Sequence, residues 1–148
     1  MRRVRCQAEL TVDAKGRLAL PRPVRAALEE QGSPALVLVF HKGALMAWTQ
    51  DEFEERFERP LAESDPFDDD VRDFTHALLS TAHDVQMDGQ GRIRLPPKLR
   101  RYASIDREVV VQSIVGRIEV WDRETWERRF EESLLNTRGR SGRPGNRE

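Results

Sequence analysis

The sequence predicts an α+β fold, mainly β, built as an intrachain pseudo-dimer of one duplicated unit. Three observations predict it. A ten-residue segment recurs 75 positions further along the chain. Short alternating runs bounded by Gly, Pro and Asp read as strands. The longest unbroken apolar run is the six residues Ala35 to Phe40, against roughly 20 needed to span a bilayer, which argues against a membrane protein.

The repeat is Val12-Asp13-Ala14-Lys15-Gly16-Arg17-Leu18-Ala19-Leu20-Pro21 against Met87-Asp88-Gly89-Gln90-Gly91-Arg92-Ile93-Arg94-Leu95-Pro96. Arg25 matches Arg100 in the same register. After a two-residue deletion the offset becomes 73, and Val37, Gly43, Trp48 and Phe57 match Val110, Gly116, Trp121 and Phe130. A register kept over some 45 residues marks a duplication.

Each copy reads alike. A strand (Ala8 to Val12; His83 to Met87) enters an Asp-x-x-Gly-Arg turn, and a second strand follows (Arg17 to Leu20; Arg92 to Leu95). Proline at 21 and 23, or at 96 and 97, then opens a helix at its first turn, where a missing N–H costs least. A hairpin comes next: Ala35 to Phe40 with Ala44 to Trp48, and Glu108 to Ile114 with Arg117 to Trp121. An acidic helix closes each copy, at Gln50 to Arg59 and Arg123 to Leu134, with Phe53/Phe57 and Trp126/Phe130 at i, i+4 spacing. Between the copies, Ser64-Asp65-Pro66 predicts a helix start, and Phe67, Val71, Phe74 and Leu78 predict a core-facing connecting helix. The expected organisation is a first domain over 1–60, a connecting helix over 61–81, a second domain over 82–135 and a disordered basic tail over 136–148. A unit of roughly 60 residues is marginal alone, so the copies are expected to share a core, with their Gly-Arg turns related by an approximate twofold axis.

With 38% hydrophobic and 34% charged residues, the chain is charged beyond the globular norm. Its net charge is only -1, but the charge is sorted. Residues 1–25 carry +5, residues 88–107 carry +4, and residues 49–75 carry -8. Such sorting fits an anion-binding face opposed to an acidic one; ordinary solvated helix faces are the plainer alternative. The single cysteine, Cys6, makes no intramolecular disulfide, and the absence of an apolar stretch behind the first arginines predicts no signal peptide and a cytosolic location.

In each turn an arginine directly follows a glycine, so Arg17 and Arg92 can project from a sharp corner. The planar five-donor fork suits guanine O6/N7 or a phosphate. A salt bridge from Asp13 to Arg17 would serve the corner itself, and both roles can hold together. Arg22, Arg25, Arg94, Lys98, Arg100 and Arg101 surround the turns, which points to a polyanion. His41, His76 and His83 share no helix face at metal-ligand spacing, and no phosphate loop or nucleophile elbow occurs. Asp68-Asp69-Asp70 reads as a helix-dipole run rather than a cation site, and Trp48, Trp121 and Trp126 as core rather than base-stacking residues.

Asp13-Ala14-Lys15-Gly16-Arg17, Gln86-Met87-Asp88-Gly89-Gln90-Gly91-Arg92, Pro96-x-x-Leu99-Arg100 and Glu119-Val120-Trp121-Asp122 together resemble the MraZ family of bacterial regulators, built from two tandem AbrB-like (SpoVT-AbrB) domains. The resemblance covers about residues 7–131. It implies a swapped-hairpin, double-psi-like β-barrel and a ring-shaped homo-oligomer. It also implies repression of the division and cell-wall gene cluster, including the regulator's own promoter, through short G-rich direct repeats. Lys15, Arg17 and Arg92 would be the principal contacts with double-stranded DNA, with no enzymatic activity, cofactor, metal, membrane or small-molecule substrate implied. Gln90 stands where the first copy has Lys15, which leaves the second turn less basic. A different class, an AbrB-fold antitoxin whose tail wraps a partner protein, calls for apolar anchors, and Asn136 to Glu148 contains no aromatic or aliphatic residue.

Overall fold

The computed structural model describes residues 1, 3–32 and 34–138. The first copy supplies β1 (Cys6–Thr11), β2 (Arg17–Ala19), α1 (Arg22–Glu30), β3 (Ala35–His41), β4 (Ala44–Thr49) and α2 (Gln50–Phe53). A wide π turn over Glu54–Glu58 leads into α3 (Arg59–Glu63), whose Pro60 has no N–H to donate. The connecting helix is α4 (Asp69–Leu79). The second copy supplies β5 (His83–Gln86), β6 (Arg92–Arg94), α5 (Pro97–Tyr102), β7 (Glu108–Ile114), β8 (Arg117–Asp122) and α6 (Arg123–Thr137). The result is an antiparallel α+β fold with short helices, as expected.

The two copies exchange their first strands. One six-stranded sheet runs β1-β7-β8-β4-β3-β5, so β1 lies on the hairpin of the second copy and β5 on the hairpin of the first. β2 and β6 pair separately as a two-stranded ribbon. Equivalent residues make equivalent pairs: Leu10 faces Val109 while Val85 faces Leu36. Where β4 meets β8, Leu45 faces Val120 and Ala47 faces Ile118, with Met46 opposite Glu119 at the centre. In the ribbon, Leu18 faces its own counterpart Ile93. The approximate twofold axis therefore passes through the Met46/Glu119 and Leu18/Ile93 pairs.

One core joins the copies, with Leu18, Leu28, Leu36 and Leu45 of the first packed among Ile93, Leu99, Val109 and Ile118 of the second. A second, smaller cluster lies on the other side of β3 and β4, where Trp48, Phe53 and Phe57 pack with Leu78 and Leu79 of α4. Truncating a fully buried leucine in such a core costs about 2–5 kcal/mol.

Two expectations about the helices need correction. The connecting helix does not begin at Pro66. Asp65 accepts the amide of Phe67 in a turn that holds Pro66, and Asp68 is the true cap, its Oδ1 accepting from the amides of Asp70 and Val71 at 2.9 and 3.2 Å. Nor does its whole apolar stripe face the core: Leu78 is buried, but Phe67 is 85% exposed and Phe74 43%. Helix α6 likewise buries no residue fully, and it runs on to Thr137, so Asn136 and Thr137 are helical. The rest of the expected tail from residue 139 onward lies outside the described residues.

Glu119 is a buried carboxylate on the axis. Its Oε1 accepts from Gln112 Nε2 at 3.0 Å and Trp121 Nε1 at 2.9 Å, and Oε2 meets Arg117 Nε at 2.8 Å. Burial alone would raise its pKa, but the bonds from Trp121, Arg117 and Gln112 outweigh that and hold it below the ordinary glutamate range. A lowered folded-state pKa stabilises the fold above the ordinary carboxylate range, and that stabilisation is lost as pH falls through the folded value. Glu119→Gln should therefore cost about 1–3 kcal/mol at neutral pH. In urea denaturation its deficit against the wild type should shrink in acid, where the wild-type carboxylate also becomes neutral.

Candidate nucleic-acid interface

Each Asp-x-x-Gly-Arg turn is closed by its aspartate. Asp13 Oδ1 accepts the backbone amides of Lys15 and Arg17, both at 2.9 Å, and Oδ2 meets Arg17 Nε at 2.8 Å. Gly16 donates to the Asp13 carbonyl at 2.9 Å with φ +79°, a value that favours glycine. The second turn repeats this chemistry: Asp88 Oδ1 accepts from Gln90 and Arg92 at 2.9 Å, and Oδ2 meets Arg92 Nε at 3.1 Å. Bonding from the following arginine's amide does most to lower the pKa of both aspartates, partial desolvation opposes it, and the arginine side chain and the neighbouring amide add to it. The carboxylates thus stay ionised and fix each arginine by Nε. The two terminal amino groups of each fork have no protein partner among the described residues.

The ribbon sets the direction of these arginines. Leu18 and Ile93 turn inward and are fully buried. By the period of two in a strand, Arg17, Ala19, Arg92 and Arg94 therefore share the opposite face. Arg17 lies directly opposite Arg94, a like-charge pairing that is unfavourable unless an anion approaches. Arg94 has no acidic partner among the described residues. Lys15 is exposed at the apex of its turn, Arg22 is exposed at the start of α1, and exposed Lys98 sits with Nζ 5.9 Å from the Tyr102 ring.

Arg25 and Arg100 behave differently from the other expected contacts. Arg25 of the first copy reaches the turn of the second: Nη1 donates to the Gln90 carbonyl at 3.2 Å, Nη2 to the Gly89 carbonyl at 3.1 Å, and Nε pairs with Glu29 at 2.9 Å. Arg100 of the second copy reciprocates by lying against Gly16, where a Cβ would meet its Nη2 at 3.3 Å. Arg100 lacks an equivalent of Glu29, and its buried Nε has no partner. Both residues are placed to brace the turns. Their matched register was visible in the sequence, but not the fact that each copy's helix crosses onto the other copy's turn. Leu18 and Ile93 aim the arginines, a role that their apolar side chains do not signal in the sequence.

The bracing predicts a specific coupling. A methyl group on Gly91 would stand 2.6 Å from Arg25 Cδ, closer than any relaxed contact. Gly91→Ala should cost more than the roughly 1–2 kcal/mol of positive-φ strain alone. In an Arg25→Ala background the added cost should fall to that strain, read as a non-additive double-mutant cycle by urea unfolding.

Comparison with known proteins identifies the family. Residues 78–140 match the family described as "MraZ protein, putative antitoxin-like". A protein of Thioalkalivibrio sulfidiphilus named "Transcriptional regulator MraZ" is 39% identical over 120 residues, covering 80% of this chain and 79% of its own. Proteins of the same name are similar from Shewanella oneidensis (33% over 132 residues; 88% and 86% covered) and Hydrogenovibrio crunogenus (35% over 120 residues; 80% and 78%). With identity of this level over most of both lengths, the chain belongs to the MraZ family.

Proposed function

We propose that this chain is a sequence-specific, DNA-binding transcriptional regulator that reads double-stranded DNA with the β2–β6 ribbon and its two flanking turns. The observation that carries the reading is the ribbon's outer face, where three of four positions are arginine and Arg17 opposes Arg94. A major groove admits a two-stranded ribbon, and a guanidinium fork held at Nε can address guanine O6/N7. Arg17 and Arg92 are the base readers in this account. Lys15, Arg22, Arg94 and Lys98 contact phosphates, while Arg25 and Arg100 hold the turns in shape. The names of the relatives support the regulatory role.

The finer reading follows from the family resemblance. The exchanged strands fit a swapped-hairpin, double-psi-like barrel, with domains over 1–60 and 82–135 joined by 61–81. The chain is read as a cytoplasmic, nucleoid-associated repressor of the division and cell-wall cluster, acting as a ring-shaped homo-oligomer on short G-rich direct repeats. A single chain offers two short turns and can read only a few base pairs, too few to define a promoter among roughly 10⁶ competing sites. Linking several chains supplies the missing affinity.

Arg17→Ala should weaken operator binding by about 1–3 kcal/mol for each site engaged, with the fold intact. Arg92→Ala should act in the same direction. Lys15→Ala should instead lower affinity for all sequences and flatten the salt dependence by about one unit of log–log slope. Fluorescence anisotropy with native and scrambled promoter DNA at two salt concentrations distinguishes these effects. Unchanged operator affinity in folded Arg17→Ala would sink the reading.

Spacing provides a separate check. Boxes read by adjacent chains must recur on one face of the duplex, about 10–10.5 base pairs apart. Inserting half a helical turn between two boxes should abolish linked binding, whereas a whole turn should be better tolerated. Equal affinity for both insertions would show that chains do not read the boxes in phase.

A further inference from the structure

We infer that the open aromatic face of α6 on one chain is covered by the outer end of α4 from a second copy. The inference rests on the self-association in the preceding reading and names the two surfaces that meet. The template lies within the chain. In the first copy Trp48, Phe53 and Phe57 form an aromatic triad with ring separations of 4.8–6.0 Å. Leu78 and Leu79, at the C-terminal end of α4, pack with it in one cluster.

The second copy places Trp121, Trp126 and Phe130 at the equivalent positions, in a row with neighbouring centroids 5.7 and 5.4 Å apart. No helix follows the second copy among the described residues to play the part of α4. Phe130 is left 47% exposed, and Leu134, one turn further along, 55%. Among the described residues, the apolar stripe therefore continues past the body of the protein with nothing on it.

Helix α4 has the complementary surplus. Its stripe runs Val71, Phe74, Leu78 at helical spacing, with Phe67 in the turn just before the cap, yet only Leu78 is buried. The free end, Val71 and Phe74 with Phe67 in the turn before them, leads out from the stripe that covers the first triad. Isolated exposed apolar residues need no explanation, but two periodic stripes that overhang their own fold do.

Charge selects the pairing. Asp65, Asp68, Asp69, Asp70 and Asp73 flank the free end of α4 and are all exposed. Beside the second triad, Lys42, Arg128 and Arg129 line a cavity of about 130 Å³ together with Trp121, Thr125 and Glu132, the last paired with Arg129 at 3.8 Å. Lys42 and Arg128 have no acidic partner among the described residues. An aromatic ring flanked by carboxylates fits that wall, its ring on the indole and its acids on the cations. The two surfaces are unlike, so the contact is heterologous: each chain offers one of each, and chains joined this way close into a ring or grow as a filament.

The test uses full-length protein in sedimentation velocity at micromolar concentration. One variant, Phe67→Ser with Phe74→Ser, alters the α4 end. The other, Phe130→Ser with Leu134→Ser, alters the α6 face. These side chains are exposed, so unfolding midpoints should stay near wild type; Asp69→Lys with Asp70→Lys is the charge counterpart should either variant lose its fold. Each variant alone should fall at least twofold in mass, to the 17.1 kDa monomer. Mixed together, the two should form a species of two chains and nothing larger, because one intact junction remains. A wild-type oligomer that persists in both variants would overturn the inference while leaving self-association standing. So would a mixture with no two-chain species, which would mean that one face pairs with itself or serves another protein. A monomeric wild type would overturn both.

Discussion

Burial of one apolar pair, Leu18 against Ile93, governs where the charge of this protein goes. Each sits at the middle of a three-residue strand, and the two are paired across the twofold axis and sealed from water. A strand has only two faces, so sealing the middle residue forces its neighbours outward. Those neighbours are Arg17, Arg92 and Arg94. A shift of register by one residue would bury guanidinium groups and expose leucine, a change too costly for a small core to absorb. The same pair fastens the first copy to the second, so the cationic surface exists only in the folded duplicate.

Around that fixed pair the copies have diverged in ways that matter physically. Met46 opposes Glu119 across the axis, and the consequence appears at the equivalent tryptophans. Trp121 Nε1 donates to Glu119, whereas buried Trp48 Nε1 has no acceptor. The helices after the hairpins share a capping position, with Thr49 and Asp122 each accepting an amide three residues on. Their faces nonetheless met different fates, one beneath α4 and the other open. Duplication supplied two equivalent apolar stripes, but the described residues contain a single connecting helix to cover them.

What could be read from the sequence follows the range of the forces involved. The turns were legible because their chemistry is local: Asp13, Gly16 and Arg17 satisfy one another within five residues, and the repeat at Asp88 to Arg92 doubled the signal. The hairpins were legible for the same reason. The helix start was not, because Ser64-Asp65-Pro66 and Asp68 are both chemically able caps, and only the course of the chain selects Asp68. Periodicity at Phe67, Val71 and Phe74 shows that a face is apolar; it carries no information on whether the same chain covers it. The crossing of Arg25 and Arg100 onto each other's turns depends on the strand exchange, which no local pattern encodes.

That crossing also makes the two ends of the ribbon electrically unequal. At the Gly91 turn, Arg92 is paired with Asp88 and Arg25 with Glu29, and the apex residue is neutral Gln90. At the Gly16 turn, only Arg17 is paired, with Asp13. Lys15 at the apex, Arg100 beneath it and Arg94 across the ribbon have no acidic partner among the described residues. Geometry is thus close to twofold while charge is not. An anion approaching the ribbon meets the steeper potential at the Gly16 end, since the fields of unpaired cations add and those of ion pairs largely cancel. Under the proposed function, the pseudo-dimer would approach DNA with a direction, so despite its near-twofold fold its asymmetric charge suits direct repeats better than a palindrome.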